Sequence, residues 1–322
     1  MPDAPKATLR GRYARGTEPV PDDALAAIVF GHASQVPDDL RAVRINLAPV
    51  CGAAEPVEVW QGSGPVQFGR TGPILHADDG THLAAWLDLD ETKYRDLVDA
   101  AETAYRAVLT FHAGSRFRHI WRMWNFISGI NEGDGDNERY KLFCLGRSRA
   151  FAAAPGGWSS LGYPAATAVG KPDGSRTAQV CWFASTQAGS VVENPRQVPA
   201  YHYPRRYGPA APSFSRALIT PDSRLFVSGT ASIVGHETLH AGDAGAQLAE
   251  TLRNIDAVLQ HAGHRLPARR PPPMLKVYVR PGVEHEPIGR AVREHFGPGS
   301  QVLTLNADIC RAELLLEIEG VF

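Results

Sequence analysis

The chain has 322 residues, room for one large domain or two of roughly 150 residues each, and its 43% hydrophobic and 21% charged residues suit a protein with a real core. Lys and Arg number 33 against 34 Asp and Glu, a formal net charge of -1, so the basic excess of a nucleic-acid binder is missing. The opening MPDAPKATLRGRYARG lacks the apolar stretch of a signal peptide, no apolar run approaches the roughly 20 residues of a membrane span, and Cys51, Cys144, Cys181 and Cys310 form no CxxC pair. A cytoplasmic protein with neither membrane nor nucleic acid as partner is the expectation.

From residue 91 onward, two stretches follow one plan. ETKYRDLVDAAETAYRAVL at 91–109 predicts a helix, with Leu97, Ala100, Ala101, Ala104 and Val108 at helical spacing and Gly114 as its C-terminal cap. RHIWRMWNFIS at 118–128 reads as strand, a second helix is expected around 137–152, and TAQVCWFAS at 177–185 closes the unit as a strand. The order then returns. AQLAETLRNIDAVLQHAG at 246–263 is an amphipathic helix with Leu248, Leu252, Ile255 and Leu259 on one face, and it too ends on His-Ala-Gly. PARRPPP at 267–273 predicts a stiff loop, MLKVYVR at 274–280 a strand, EPIGRAVREHFG at 286–297 a helix, and AELLLEIEGV at 312–321 a final strand. The matching order argues for two copies of one sheet-plus-two-helices unit.

His236-Glu237-Thr238-Leu239-His240 matches the zinc-protease pattern, which needs both histidines one helical turn apart on one face. Gly235 and Gly242 hem the segment in and a strand-like LFVSG precedes it, so a loop is expected and no metal is assigned. GDGD at 133–136 lacks the spaced ligands of a calcium loop and reads as a turn, with Asp136 or Asn137 capping the next helix. No GxGxxG follows a strand and no GxxxxGK[ST] occurs, so no nucleotide cofactor is expected. Glu317 and Glu319 sit at i and i+2 of an apolar strand. Either both are buried, which would raise a carboxyl pKa enough for a general acid, or both face solvent on an edge strand. NPRQVPAYHYPRRYGPAAPSFSRA at 194–217 interleaves arginines and tyrosines with prolines, a stiff lining suited to a small dianion or an ordinary linker.

Residues 207–322 resemble the whole length of the RidA/YjgF imine-deaminase family, through APSFSRALI, LFVSGTASI, QLAETLRNIDAVLQHAG, LKVYVR and LLLEIEG in the family's order. That resemblance implies a chorismate-mutase-like α+β unit, normally trimeric with sites between subunits, and puts Glu317 on the catalytic glutamate. The family's substrate-binding Arg-Ser-Cys is replaced by Val302-Leu303-Thr304, which argues against imine deamination. Nearly the whole chain resembles the chorismatases, through WNFISGINEGDGDNERYKLFCLGRSRAF, the 194–217 segment, SGTASIVGH and DICRAELLLEIEG.

The resemblance implies an α+β fold of two RidA/YjgF-like units, pseudo-duplicated in one chain: a diverged half at 1–193, and a half at 194–322 carrying the catalytic glutamate. It implies a cofactor-free enzyme that cleaves the enolpyruvyl ether of chorismate, releasing pyruvate and a hydroxybenzoate, and a monomer acting as a pseudo-oligomer. Glu317 is the implied acid. Arg147, Arg205, Arg216 and Arg280, with Tyr201 and Tyr203, are candidates to hold the two carboxylates. Cys310 resembles the type that makes 3-hydroxybenzoate intramolecularly, whereas Ala231 resembles the hydrolytic type that makes 3,4-dihydroxycyclohexa-1,5-diene carboxylate. A mixed type yielding 3- or 4-hydroxybenzoate reconciles them. The alternatives are the hydrolytic enzyme, a RidA-like imine deaminase, and a non-catalytic metabolite-binding protein on the same scaffold.

Overall fold

The computed structural model describes residues 8–15, 19–31, 37–50, 56–154, 162–266 and 271–322. Cys51, Arg269, Arg270 and the first seven residues lie outside them.

The first sheet contains β1 (Arg10–Arg15), β2 (Ala24–Phe30), β3 (Ala42–Ile45) and β4 (Pro56–Gln61), in the order β1-β4-β2-β3 with only β2 and β3 parallel. The second unit runs β5 (Gln67–Thr71), β6 (Ile74–Asp78), β7 (His82–Asp90), α1 (Leu97–Ala113), β8 (His119–Ser128), α2 (Arg139–Ala152), β9 (Ala165–Lys171) and β10 (Thr177–Ser185). Its sheet is ordered β9-β8-β10-β7-β6-β5, with β8 and β9 parallel. The third unit starts with β11 (Ser190–Val192), β12 (Ala217–Ile219), β13 (Leu225–Thr230) and a small hairpin of β14 (Ile233–Val234) and β15 (Glu237–Thr238). It continues through α3 (Ala244–Ala262), β16 (Met274–Val279), α4 (Glu286–Phe296), β17 (Gln301–Asn306), β18 (Asp308–Ile309) and β19 (Leu316–Val321). Its sheet is ordered β11-β12-β13-β19-β16-β17, with β16 and β17 parallel, while β18 crosses over to pair with β9.

The second and third sheets therefore have the same strand order, with their parallel pair in the same place, and the duplication expected from sequence is present. The expected boundary at 193/194 falls just behind β11, which already belongs to the third sheet. Among the described residues the first sheet repeats the plan once more without helices, since β1-β4-β2-β3 corresponds to β7-β10-β8-β9 and to β13-β19-β16-β17. Helix periodicity marks a unit in the sequence, and no such periodicity runs through residues 1–61.

α1 begins at Leu97, because Asp96 caps it by accepting from the Asp99 N–H; residues 91–93 are a separate 3₁₀ turn. α2 begins at Arg139. Asp136 does not cap it, being engaged with Arg205 instead, and Glu138 stands at the cap position without a side-chain cap bond. The outer faces of the second and third sheets are covered by α1 with α2 and by α3 with α4, over two apolar clusters. Their inner faces meet the first sheet in a central core containing Trp60, Trp124, Phe183, Phe226 and Tyr278. No helix among the described residues is long and apolar enough to cross a membrane.

Candidate active site

β19 lies between β13 and β16, so it is a central strand and not an edge. Alternation sends Leu316 and Ile318 outward under the third unit's helices, and Glu317 and Glu319 inward, where they are 4% and 3% exposed. The two carboxyls meet different surroundings. Glu319 accepts from Arg122 Nη2 at 2.6 Å and Trp124 Nε1 at 2.7 Å, and lies 2.9 Å from Lys276 Nζ. Lys276 in turn reaches Glu58 on β4 at 2.7 Å, and Trp60 Nε1 donates to the same carboxylate. Burial by itself would raise the Glu319 pKa, but the charges of Arg122 and Lys276 and hydrogen bonds from Thr167 and Lys276 outweigh it and hold the group at about 2. Two cations thus balance two carboxylates in the core. A third ionised carboxyl would upset that balance.

Glu317 is that third carboxyl, and it opens into a cavity of about 280 Å³ between the second and third units. Burial, followed by repulsion from Glu319, pushes its pKa up to about 8, against the weaker opposite pull of Arg122 and Arg216. Gly229 on β13 makes room for it: a Cβ there would collide with Glu317 Oε1. The Gly229 N–H donates to Thr167 Oγ1, which also accepts from Arg122, and this ties the strand beside the acid to the charged core.

The cavity walls are cationic. α2 presents Tyr140 and Arg147 on one face, and Arg147 is 3% exposed with its Nε unbonded. Arg216 donates through Nη2 to Val198 O and to Tyr203 Oη, and its buried Nε also lacks a partner. Arg311 lies over the Tyr207 ring at 4.1 Å and the Tyr203 ring at 5.3 Å and donates to His236 O and Thr238 Oγ1. Within the described residues none of these three arginines is ion-paired to a carboxylate, so the cavity offers unspent positive charge to an anion.

Of the residues expected from sequence, Glu317, Cys310, Ala231, Arg147, Tyr203 and Arg216 line this cavity. Three do not. Arg205 grips Asp136 with two bonds on the exposed surface. Arg280 is held by Asp308, Asn131 and the carbonyls of Leu314 and Arg311, and so braces the loop that carries Cys310. Tyr201 stacks on Tyr163 at 5.0 Å, beside Glu193. Arg206 and Tyr207, from the 194–217 segment expected to suit a small dianion, also line the cavity, and so do Arg311, Glu138, Thr167, Asn125 and Gly229, which sequence did not single out. Arg311 could have been found, since it follows Cys310 in the same motif. Thr167 and Asn125 carry no local signal: Thr167 is placed by packing against β13 of the third sheet, and Asn125 by accepting from Tyr105 Oη on α1. The His236–His240 segment is the β14–β15 hairpin and its exit, with Gly235 and His240 at φ of 60°. The two histidines are therefore not on a helix: His236 takes a bond from Arg206 and His240 lies near Glu250.

Against known proteins, residues 58–184 match the family described as "Chorismatase FkbO/Hyg5-like, N-terminal". A curated relative from Streptomyces hygroscopicus, named 3-hydroxybenzoate synthase, is 35% identical over 96% of this chain and 94% of its own length. The chain belongs to the chorismatase family. A chorismatase from Streptomyces rapamycinicus is 37% identical over 82% of this chain and 81% of its own. A chorismatase crystal structure, 29% identical, covers 98% of both chains with a TM-score of 0.86, so the two chains share one architecture over nearly their whole length.

Proposed function

We propose that this chain is a cofactor-free chorismatase that cleaves the enolpyruvyl ether of chorismate to pyruvate and a hydroxybenzoate, with 3-hydroxybenzoate favoured and 4-hydroxybenzoate next. One observation carries the reading: a carboxyl kept protonated near neutral pH faces a cavity whose walls hold three arginines without carboxylate partners among the described residues. Chorismate is a dianion, and Arg147, Arg216 and Arg311 supply forks for its two carboxylates. Glu317 gives its proton to the enol-ether methylene carbon, and the positive charge that forms is shared with the ether oxygen. The C4 hydroxyl oxygen then attacks C3, and the C3–O bond breaks with its electrons completing the carbonyl of pyruvate. The ring loses a C–H proton and becomes aromatic. Chorismate holds all the atoms of both products, whereas the dihydrodiol of the hydrolytic route needs an added water. A relative named 3-hydroxybenzoate synthase at 35% identity favours the intramolecular route. We place the whole site in one protomer, since two sheets of a single chain enclose it, and expect a monomer.

Incubation with chorismate, with pyruvate and aromatic products measured together, tests the reading; absence of pyruvate ends it. Because the protonated form of Glu317 is the active one, kcat/KM is expected to stay level at lower pH and to fall as pH rises through about 8. A profile that rises across that range removes Glu317 from the acid role.

Burial above all raises the Cys310 pKa, so the thiol stays neutral. Its proposed part is to fill space beside the ring, not to take a proton. Cys310→Ala opens room on the order of one water molecule, roughly 30 Å³. The variant is expected to release pyruvate still, with product shifted from hydroxybenzoate toward the dihydrodiol. An unchanged product ratio on chromatography sinks the steering role.

A further inference from the structure

Building on the chorismate-cleaving reading above, we propose that Glu138 is a second catalytic carboxylate, which accepts the C4 hydroxyl of the substrate and takes its proton as that oxygen attacks C3. Glu138 stands at the start of α2 and lines the same cavity as Glu317. Its side chain makes no cap bond to the helix; Lys141 Nζ pairs with Oε2 at 3.0 Å, and Oε1, which has no partner within the described residues, is the oxygen left to accept from the substrate. It is near Cys144 and Cys310, whose thiols both feel its charge.

The substrate's chemistry says what such a group is for. A carboxylate in a pocket for a dianion repels the ligand unless it meets a hydrogen-bond donor, and the C4 hydroxyl is the one donor that chorismate carries. Two carboxylates other than Glu317 line the cavity. Glu313 is exposed at the rim, where it accepts from Thr238 Oγ1, whereas the side chain of Glu138 is only 22% exposed. The neutral Cys310 thiol is a poor proton acceptor, which leaves Glu138.

The step balances. Glu317 loses its proton to the methylene carbon, which becomes the methyl group of pyruvate. The C4 hydroxyl loses its proton to Glu138, its oxygen bonds C3, and the departing C3–O pair forms the pyruvate carbonyl. The ring's later loss of a C–H proton is matched by protonation of its oxygen. Turnover ends with Glu138 protonated and Glu317 bare, and exchange with solvent resets both.

The test compares wild type, Glu138→Gln and Glu138→Asp, measuring pyruvate, hydroxybenzoate and dihydrodiol from chorismate alongside thermal unfolding. Wild type producing no pyruvate and no hydroxybenzoate would end the parent reading, separately from this one. With wild type active, Glu138→Gln is expected to cut hydroxybenzoate formation about 10²-fold, the usual lower range for a lost general base. Pyruvate release should fall much less, the difference appearing as dihydrodiol, because the cation still forms and water captures it. Glu138→Asp keeps a carboxylate and should recover part of the hydroxybenzoate share, a partial rescue that a purely structural role would not give. An unchanged product ratio in both variants, or equal loss of pyruvate and hydroxybenzoate, overturns the assignment.

Discussion

Glu317→Gln is expected to lower chorismate turnover by about 10²-fold or more, the scale of a lost general acid, with little change in KM. The amide matches the carboxyl in shape and still fits the space left by Gly229, so the arginines that would hold the substrate stay in place. It has no acidic proton for the methylene carbon. Stability should move the other way. A buried carboxyl whose pKa rises from 4.5 to about 8 binds its proton more tightly folded than unfolded, so stability falls as pH rises through that window. Removing the titration relieves a cost of a few kcal/mol, at 1.36 kcal/mol per pKa unit. The variant should therefore unfold at higher temperature than wild type at pH 8, and the two should converge near pH 4.5. Turnover within a few-fold of wild type, or a stability gap independent of pH, would remove Glu317 from the acid role.

The elements that sequence located best were those with a long amphipathic repeat or a dense apolar run. α3 at Ala244–Ala262 and β10 at Thr177–Ser185 fall on or within two residues of expectation, and the second expected helix, around 137–152, is α2 at Arg139–Ala152. What sequence could not resolve was placement across sheets. Glu317 and Glu319 were equally consistent with an exposed edge until β19 took its place between β13 and β16. Arg205 and Arg216 come from one proline-rich segment and look alike in it. Yet Arg205 follows a surface 3₁₀ turn to Asp136, while Arg216 leads into β12 and is buried against the cavity. Arg280 directly follows β16, one residue beyond the end of the strand expected to include it, but that position says nothing about which carbonyls will surround its guanidinium. The first sheet was invisible for a different reason: its strands are short and, among the described residues, no helix lies between them.

Those same inter-sheet contacts underlie the second large effect, expected for Lys276→Met. Lys276 joins the first and third sheets by bridging Glu58 at 2.7 Å and Glu319 at 2.9 Å, and Arg122 brings in the second. All four groups are buried, with two positive charges set against two negative. Without Lys276, one guanidinium faces two buried carboxylates and bonds only Glu319, while among the described residues Glu58 keeps the Trp60 N–H alone. Breaking a buried pair in this way costs about 3–5 kcal/mol, which in a chain of this size lowers the melting temperature by roughly 10 °C. The pair is not expected to be worth that much in net terms, because taking four charges out of water is itself expensive. Lys276→Met combined with Glu58→Leu leaves Glu319 with Arg122 as a balanced pair, and should regain most of the loss. A single variant within about 1 kcal/mol of wild type, or a double variant no better than the single, would mean that apolar packing alone holds the three sheets together.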